Sequence, residues 1–158
     1  MRESRDTQFD AVARRLGHRF DGEIKIGGNY VSVLRQGSQL FVSGQLPRAG
    51  DRVMVVGRVG DDVSIEQAQF AARICVMRAL ALLRQTLGSL DALSQVLRMT
   101  VFVHCSADFT QHSEVADAAS EVLYGVLGPA GVHTRTSVGV FQLPKGAAVE
   151  LDLIAAVA

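Results

Sequence analysis

Two residues in the closing segment HTRTSVGVFQLPKGAAVELDLIAAVA could do chemistry: Arg135, a charge entering a run of small and β-branched residues, and Glu150, within a second apolar strand. A guanidinium is suited to holding a planar carboxylate by two parallel hydrogen bonds. With a side-chain period of two, Arg135, Ser137 and Gly139 share one face of a strand, and Gly139 leaves open space along it. Glu150 follows fifteen residues later, on the same face as Asp152 and opposite Val149, Leu151 and Leu153. If the last two strands fold back on each other around LPKG, the two charges face each other or lie diagonal. A glutamate beside an arginine stays ionised and can orient a water molecule. Two plainer readings fit the same spacing: a surface ion pair, or edge charges that discourage aggregation.

Two further candidates come from the N-terminal third. Tyr30 follows Gly27–Gly28–Asn29, whose glycines allow a bend that exposes the ring. Ser43 stands in VSGQ, where its hydroxyl and the backbone of Gly44 could meet a small ligand. Each is equally readable as a packed aromatic or a strand-end turn.

The elements that must position these residues follow from periodicity. Residues 4–16 read as an amphipathic helix with Phe9, Val12, Ala13 and Leu16 on one side. VSVLRQGSQLFVSGQLP reads as two strands joined by a tight turn at Gln36–Gly37–Ser38. DRVMVVGRVG reads as a third, antiparallel to the second. Ser64 and Gln67 make a capping box for a long helix that ends at Gly88. QVLRMTVFVH is a fourth strand, with Leu97, Met99, Val101 and Val103 on one face. Asp108 can cap a second long helix, with Val115, Ala118, Val122 and Val126 as its apolar stripe and Gly128–Pro129 as its stop. Terminal strands at about 135–142 and 148–157 complete a β-β-β-α-β-α-β-β order. The expected fold is α+β: one sheet, both helices on one face, and an extra N-terminal helix. The other face needs a cover, so oligomerisation is expected.

The 158 residues suit a single domain, with residues 1–20 as a helical extension. Lys plus Arg number 16 and so do Asp plus Glu, leaving no net field for nucleic acid or anionic membrane. No Lys/Arg cluster, signal-type segment or membrane-length apolar run is visible, and the cytoplasm is the expected location. Cys75 and Cys105 read as buried small hydrophobes. His18, His104, His112 and His133 form no metal-ligand motif, so no metal site is expected.

LFVSGQLP, RMTVFVHCSADF and HTRTSVGVFQLPKGAAVELDLIA, in that order, resemble the reactive intermediate deaminase family, also called Rid or YjgF, from about Asn29 onward. The resemblance implies a chorismate-mutase-like subunit in a homotrimer with clefts between subunits. It assigns the substrate carboxylate to Arg135, the hydrolytic water to Glu150, and the cleft tyrosine and serine to Tyr30 and Ser43, with Gly44 beside them. The implied reaction is hydrolysis of reactive enamines or imines, such as 2-aminoacrylate, to a 2-oxo acid and ammonia, without a cofactor. The family's usual Pro-Ala-Arg-Ser is His133–Thr134–Arg135–Thr136 here, and a cysteine common two places after the arginine is Ser137. These departures look like a divergent branch. A non-catalytic trimer that binds small 2-oxo acids is the alternative. RNA cleavage, an activity of some relatives, ranks last, because the chain is neutral, poor in aromatics and lacks a His pair.

Overall fold

Ser64 and Gln67 exchange both bonds of a capping box, Gln67 N–H to Ser64 Oγ at 3.1 Å and Ser64 N–H to Gln67 Oε1 at 2.8 Å. They start helix α2, Ile65–Leu87, which closes on Gly88 at φ 86°. The structure is a computed structural model, and it describes residues 3–158; Met1 and Arg2 of the expected extension lie outside it. Upstream, α1 spans Arg5–Leu16, with Ser4 as its cap and Gly17 as its left-handed stop. β1 (Val33–Gln36) and β2 (Gln39–Gln45) form the expected hairpin around Gly37–Ser38.

The third strand is corrected. Residues 48–53 form a separate ribbon, β3 (Arg48–Ala49) against β4 (Arg52–Val53), and do not join β2. Beyond it the chain makes only single bridges, Val56 to Ala147 and Val59 to Val63 and Cys105. Gly57 and Gly60, both at positive φ, break the extended run there.

β5 (Leu93–His104), α3 (His112–Leu127), β6 (Thr134–Val140) and β7 (Val149–Val157) follow. The five-stranded sheet has the order β1-β2-β7-β5-β6. α3 carries the chain back so that β6 runs parallel to β5 on the outer edge. β7 then enters antiparallel to both β5 and β2. The last two strands therefore do not fold onto each other, because β5 lies between them. Two other expectations change. A register shift between Val96 and Arg98 buries Val96 and leaves Leu97 half-exposed. Asp108 accepts from Ser106 Oγ at 2.9 Å and does not cap α3, whose cap position is Gln111 without a side-chain bond.

The core lies between one sheet face and α2/α3. Leu40, Val42, Met99, Val101, Leu151 and Leu153 meet Ile74, Met77, Leu80, Val115 and Leu123 there. Each such side chain contributes about 1.5–3 kcal/mol on burial. α2 is buried further round than its stripe implies, because α1 and the segment through Phe20 and Ile24 cover its outer side. Arg78 is caught in this layer. It has no carboxylate partner and donates to the carbonyls of Lys25 at 2.8 Å and Arg48 at 3.4 Å, tying that segment to α2. On the other sheet face Leu34, Phe41 and Val138 remain exposed.

Candidate functional site

β2 and β7 pair regularly up to Val42–Leu153 and resume at Gln45–Leu151. The two intervening residues, Ser43 and Gly44, form a bulge beside Glu150 and Asp152. A Cβ on Gly44 would come within 2.6 Å of Glu150 Oε2, so the glycine makes the room that the carboxylate occupies. Ser43 N–H donates to Ser32 O at 2.9 Å, and the buried Gln45 side chain donates to Ser43 O at 3.1 Å. The bulge is thereby held in place from both sides. Tyr30 lies two residues before Ser32, half-exposed, with its ring over Gly28. Ser43, Gly44 and Glu150 are thus brought together within one chain, and Tyr30 sits on the loop leading into the same end of the sheet.

Glu150 has no arginine beside it. Burial pushes its carboxyl above the usual value, and the negative charge of Asp152 adds to the effect. Asp152 is also pushed up by burial, with the Arg98 charge working against it. Glu150 is therefore a carboxyl with raised proton affinity, not the simply ionised group expected beside a cation.

This pair gives a testable pH dependence. Both groups hold protons to higher pH in the folded chain than in the unfolded one, above their ordinary values of 4.5 and 3.8. Stability is therefore fully present below those values and declines as pH rises through the folded ones. Asp152→Asn should raise the urea midpoint at about pH 7 relative to wild type, and the difference should disappear at about pH 3. Equal midpoints at both pH values would show that Asp152 ionises as freely in the folded protein as in the unfolded.

Arg135 lies elsewhere. It pairs with the buried Met99 and points to the helix side, whereas Glu150 pairs with Phe102 on the open face. Two strand spacings and three residues along β5 separate their backbones by roughly 14 Å. The guanidinium is held by α3: Nη1 donates to Asp117 Oδ1 at 2.8 Å and Ser120 Oγ at 3.0 Å, and Nη2 to Ser113 Oγ at 2.8 Å. His133 completes this network, with Nδ1 donating to Gly131 O at 2.6 Å and Nε2 then accepting from Ser120 at 2.9 Å. Asp117, Ser120, Tyr124, His133 and Arg135 border an open depression of about 400 Å³. The space expected beside Gly139 is filled by the Cys105 and His112 side chains.

The arginine's partners were missed by sequence reasoning. Their signal is Ser113, Asp117 and Ser120 at i, i+4 and i+7, a polar stripe beside the apolar one. A larger depression of about 860 Å³ lies between α1 and the end of α2. Arg84 there is already neutralised by Asp6 and Asp10 and covers the Phe9 ring. Among the described residues, no group of three or more His, Cys, Asp or Glu could hold a metal ion, and no helix is long and apolar enough to cross a membrane.

A family model described as YjgF/chorismate mutase-like, putative endoribonuclease, matches residues 19–155, and the chain belongs to this family. Protein TCP17 of Trypanosoma cruzi is 39% identical over 145 residues, 91% of each chain. Among solved structures, the Atu1372 protein of Agrobacterium tumefaciens superposes with TM-score 0.83 at 34% identity, covering 97% of this chain and 96% of its own. A protein of Shewanella oneidensis MR-1, described as a putative endoribonuclease, gives 0.90 at 25% identity, covering 98% and 100%. TdcF of E. coli, solved with bound serine, gives 0.63 at 23% identity, covering 89% and 97%, a likeness of fold. The α+β expectation agrees with these matches, including a sheet that carries α2 and α3 on one face.

Proposed function

We propose that the protein hydrolyses reactive enamine and imine intermediates of the 2-aminoacrylate type to 2-oxo acids and ammonia, as a homotrimer with sites between subunits. One observation carries the reading: Glu150 is a half-buried carboxyl of raised proton affinity, set against the gap at Gly44. Imine hydrolysis is accelerated by such a group. An enamine takes a proton from solvent at its β-carbon and gives one up from nitrogen to become an imine, and water then adds to the C=N carbon. Glu150 accepts one proton from the attacking water and passes it to the imine nitrogen, then relays the second from the carbinolamine hydroxyl as the C–N bond breaks, so that C=NH and water become C=O and ammonia. The Ser43 hydroxyl and the exposed Tyr30 ring flank the substrate, and no cofactor is required.

Arg135 is the candidate carboxylate holder, and it must come from a neighbouring subunit, since the two side chains of one subunit occupy opposite sheet faces. Leu34, Phe41 and Val138 on the open face support a subunit covering it. Arg135 already grips the carboxylate of Asp117. That side chain is 58% exposed, so a substrate carboxylate can displace it at small cost. The same grip favours the second reading, a 2-oxo acid binding protein without chemistry, in which Asp117 is the competitor. RNA cleavage fits the neutral charge less well.

Co-assembly of two inactive variants tests the shared site. Arg135→Ala and Glu150→Gln subunits mixed in equal amounts create some interfaces carrying an intact arginine and an intact glutamate, about a quarter of the total by random assembly in a ring. Ammonia release from an imine generated in situ should recover to about that fraction of wild type. No recovery, with both variants folded and trimeric, would rule out a site shared in this way. A wild type without activity on a panel of such imines would leave the binding reading.

A further inference from the structure

Where β5 ends and α3 begins, a thiol and an imidazole meet. Cys105 Sγ lies 3.5 Å from His112 Nε2. Phe109 packs edge-on against the imidazole, with ring centroids 5.4 Å apart. Both side chains lie against Gly139 of β6. A Cβ there would come within 2.7 Å of His112 Nε2 and 2.9 Å of Cys105 Sγ, so the strand admits the pair because it carries glycine at that point. Cys105 is only partly buried, contrary to the expectation of an inert core thiol, whereas Cys75 is fully enclosed. None of these side chains has a part in the deamination reading, and Glu150 lies on the opposite sheet face.

The surroundings suit a nucleophile and its base. His112 is the first residue of the 16-residue α3, whose cap position supplies no side-chain acceptor. The positive end of the helix favours the negative charge that develops as the thiol attacks. The first-turn N–H groups, left without a side-chain cap, can receive an oxyanion. Burial pushes the Cys105 thiol up and the Arg58 charge opposes this, so the proton stays on sulfur until the imidazole takes it.

We propose that Cys105 and His112 form a nucleophilic thiol site for small electrophilic carbonyl compounds, namely aldehydes and 2-oxo acids. As Sγ bonds to the carbonyl carbon, His112 Nε2 takes the thiol proton. The C=O π pair moves to oxygen, where the N–H groups at the start of α3 receive it and His112 returns the proton. The product is a thiohemiacetal or thiohemiketal. Nothing leaves and nothing is oxidised, so the capture is reversible.

Alkylation by iodoacetamide, followed by intact-protein mass, tests the site in the native protein, with Cys75 as the internal control and Cys105→Ser as the blank. His112→Gln should slow the alkylation of Cys105 about 10-fold, because the thiol then has no base to take its proton. Glyoxylate at millimolar concentration should slow the alkylation reversibly. Equal rates in wild type and His112→Gln, or no protection of the wild type by glyoxylate, would overturn the proposal. Glu150→Gln should leave the labelling unchanged, so this site and the deamination reading fail separately.

Discussion

Glu150→Gln should lower the turnover of an imine substrate by roughly 10²–10⁴-fold while changing ligand affinity far less. The amide keeps the shape and some of the hydrogen bonding of the carboxyl but cannot accept a proton from water. It also fits the same gap, because the crowding at Gly44 comes from the side-chain carbons and one terminal oxygen. A stability change has the opposite sign from a loss of activity. Removing a half-buried carboxyl that burial and the Asp152 charge both disfavour when ionised should leave the variant at least as stable as wild type at neutral pH. Inactive but stable is the expected outcome. The measurement is ammonia or 2-oxo acid release from an imine formed by an amino-acid oxidase or a dehydratase. Equal activity in wild type and variant would leave the reaction standing and remove Glu150 from it.

Gly131→Ala should be the most damaging single-methyl change to the fold. Gly131 closes the turn after α3, and a Cβ there would fall on the carbonyl of Leu123, with the Leu123 carbonyl carbon at 2.7 Å and the Tyr124 nitrogen at 3.2 Å. All of these are backbone atoms of the last turns of α3, which cannot withdraw without breaking helical bonds. The expected loss is about 3 kcal/mol, at the upper end for overpacking. For a chain of this size that lowers Tm by about 6–12 °C. Gly17→Ala is the control. Gly17 has φ +73° but nothing within 4 Å of an added Cβ, so only the left-handed backbone penalty of about 1–2 kcal/mol applies. A Gly131→Ala loss no larger than that of Gly17→Ala would mean that the end of α3 moves aside freely.

The local parts of the fold were legible, and for a common reason. The capping box at Ser64 and Gln67, the stop at Gly88 and the turn at Gly37–Ser38 each depend on residues a few positions apart. The strand order does not. LPKG looks like a hairpin loop, yet the strands on either side of it are separated by β5, because α3 delivers β6 to the far edge first. The face of Glu150 was readable from alternation along β7, whereas its neighbours were not. They depend on a bulge in β2, a strand that lies more than a hundred residues earlier in the sequence. Arg135 was found as a residue and misjudged in its surroundings, since its partners come from a helix packed over its strand. Cys105 and His112 stand on either side of a turn, and no periodic pattern links them.

The central position of β7 has a consequence for how the protein is made. β7 is the last strand in chain order, yet it fills the slot between β2 and β5. Until residues 149–157 have left the ribosome, both neighbours expose unpaired inner edges, and the apolar side chains that α2 and α3 will share have half a sheet to rest on. The hairpin and the two long helices can form during synthesis, but the pairing that unites them joins residues more than a hundred positions apart and must wait for residues 149–157. Over that interval two strand edges stand open to a wrong partner, a hazard set by the place of β7 in the sheet and not by its sequence.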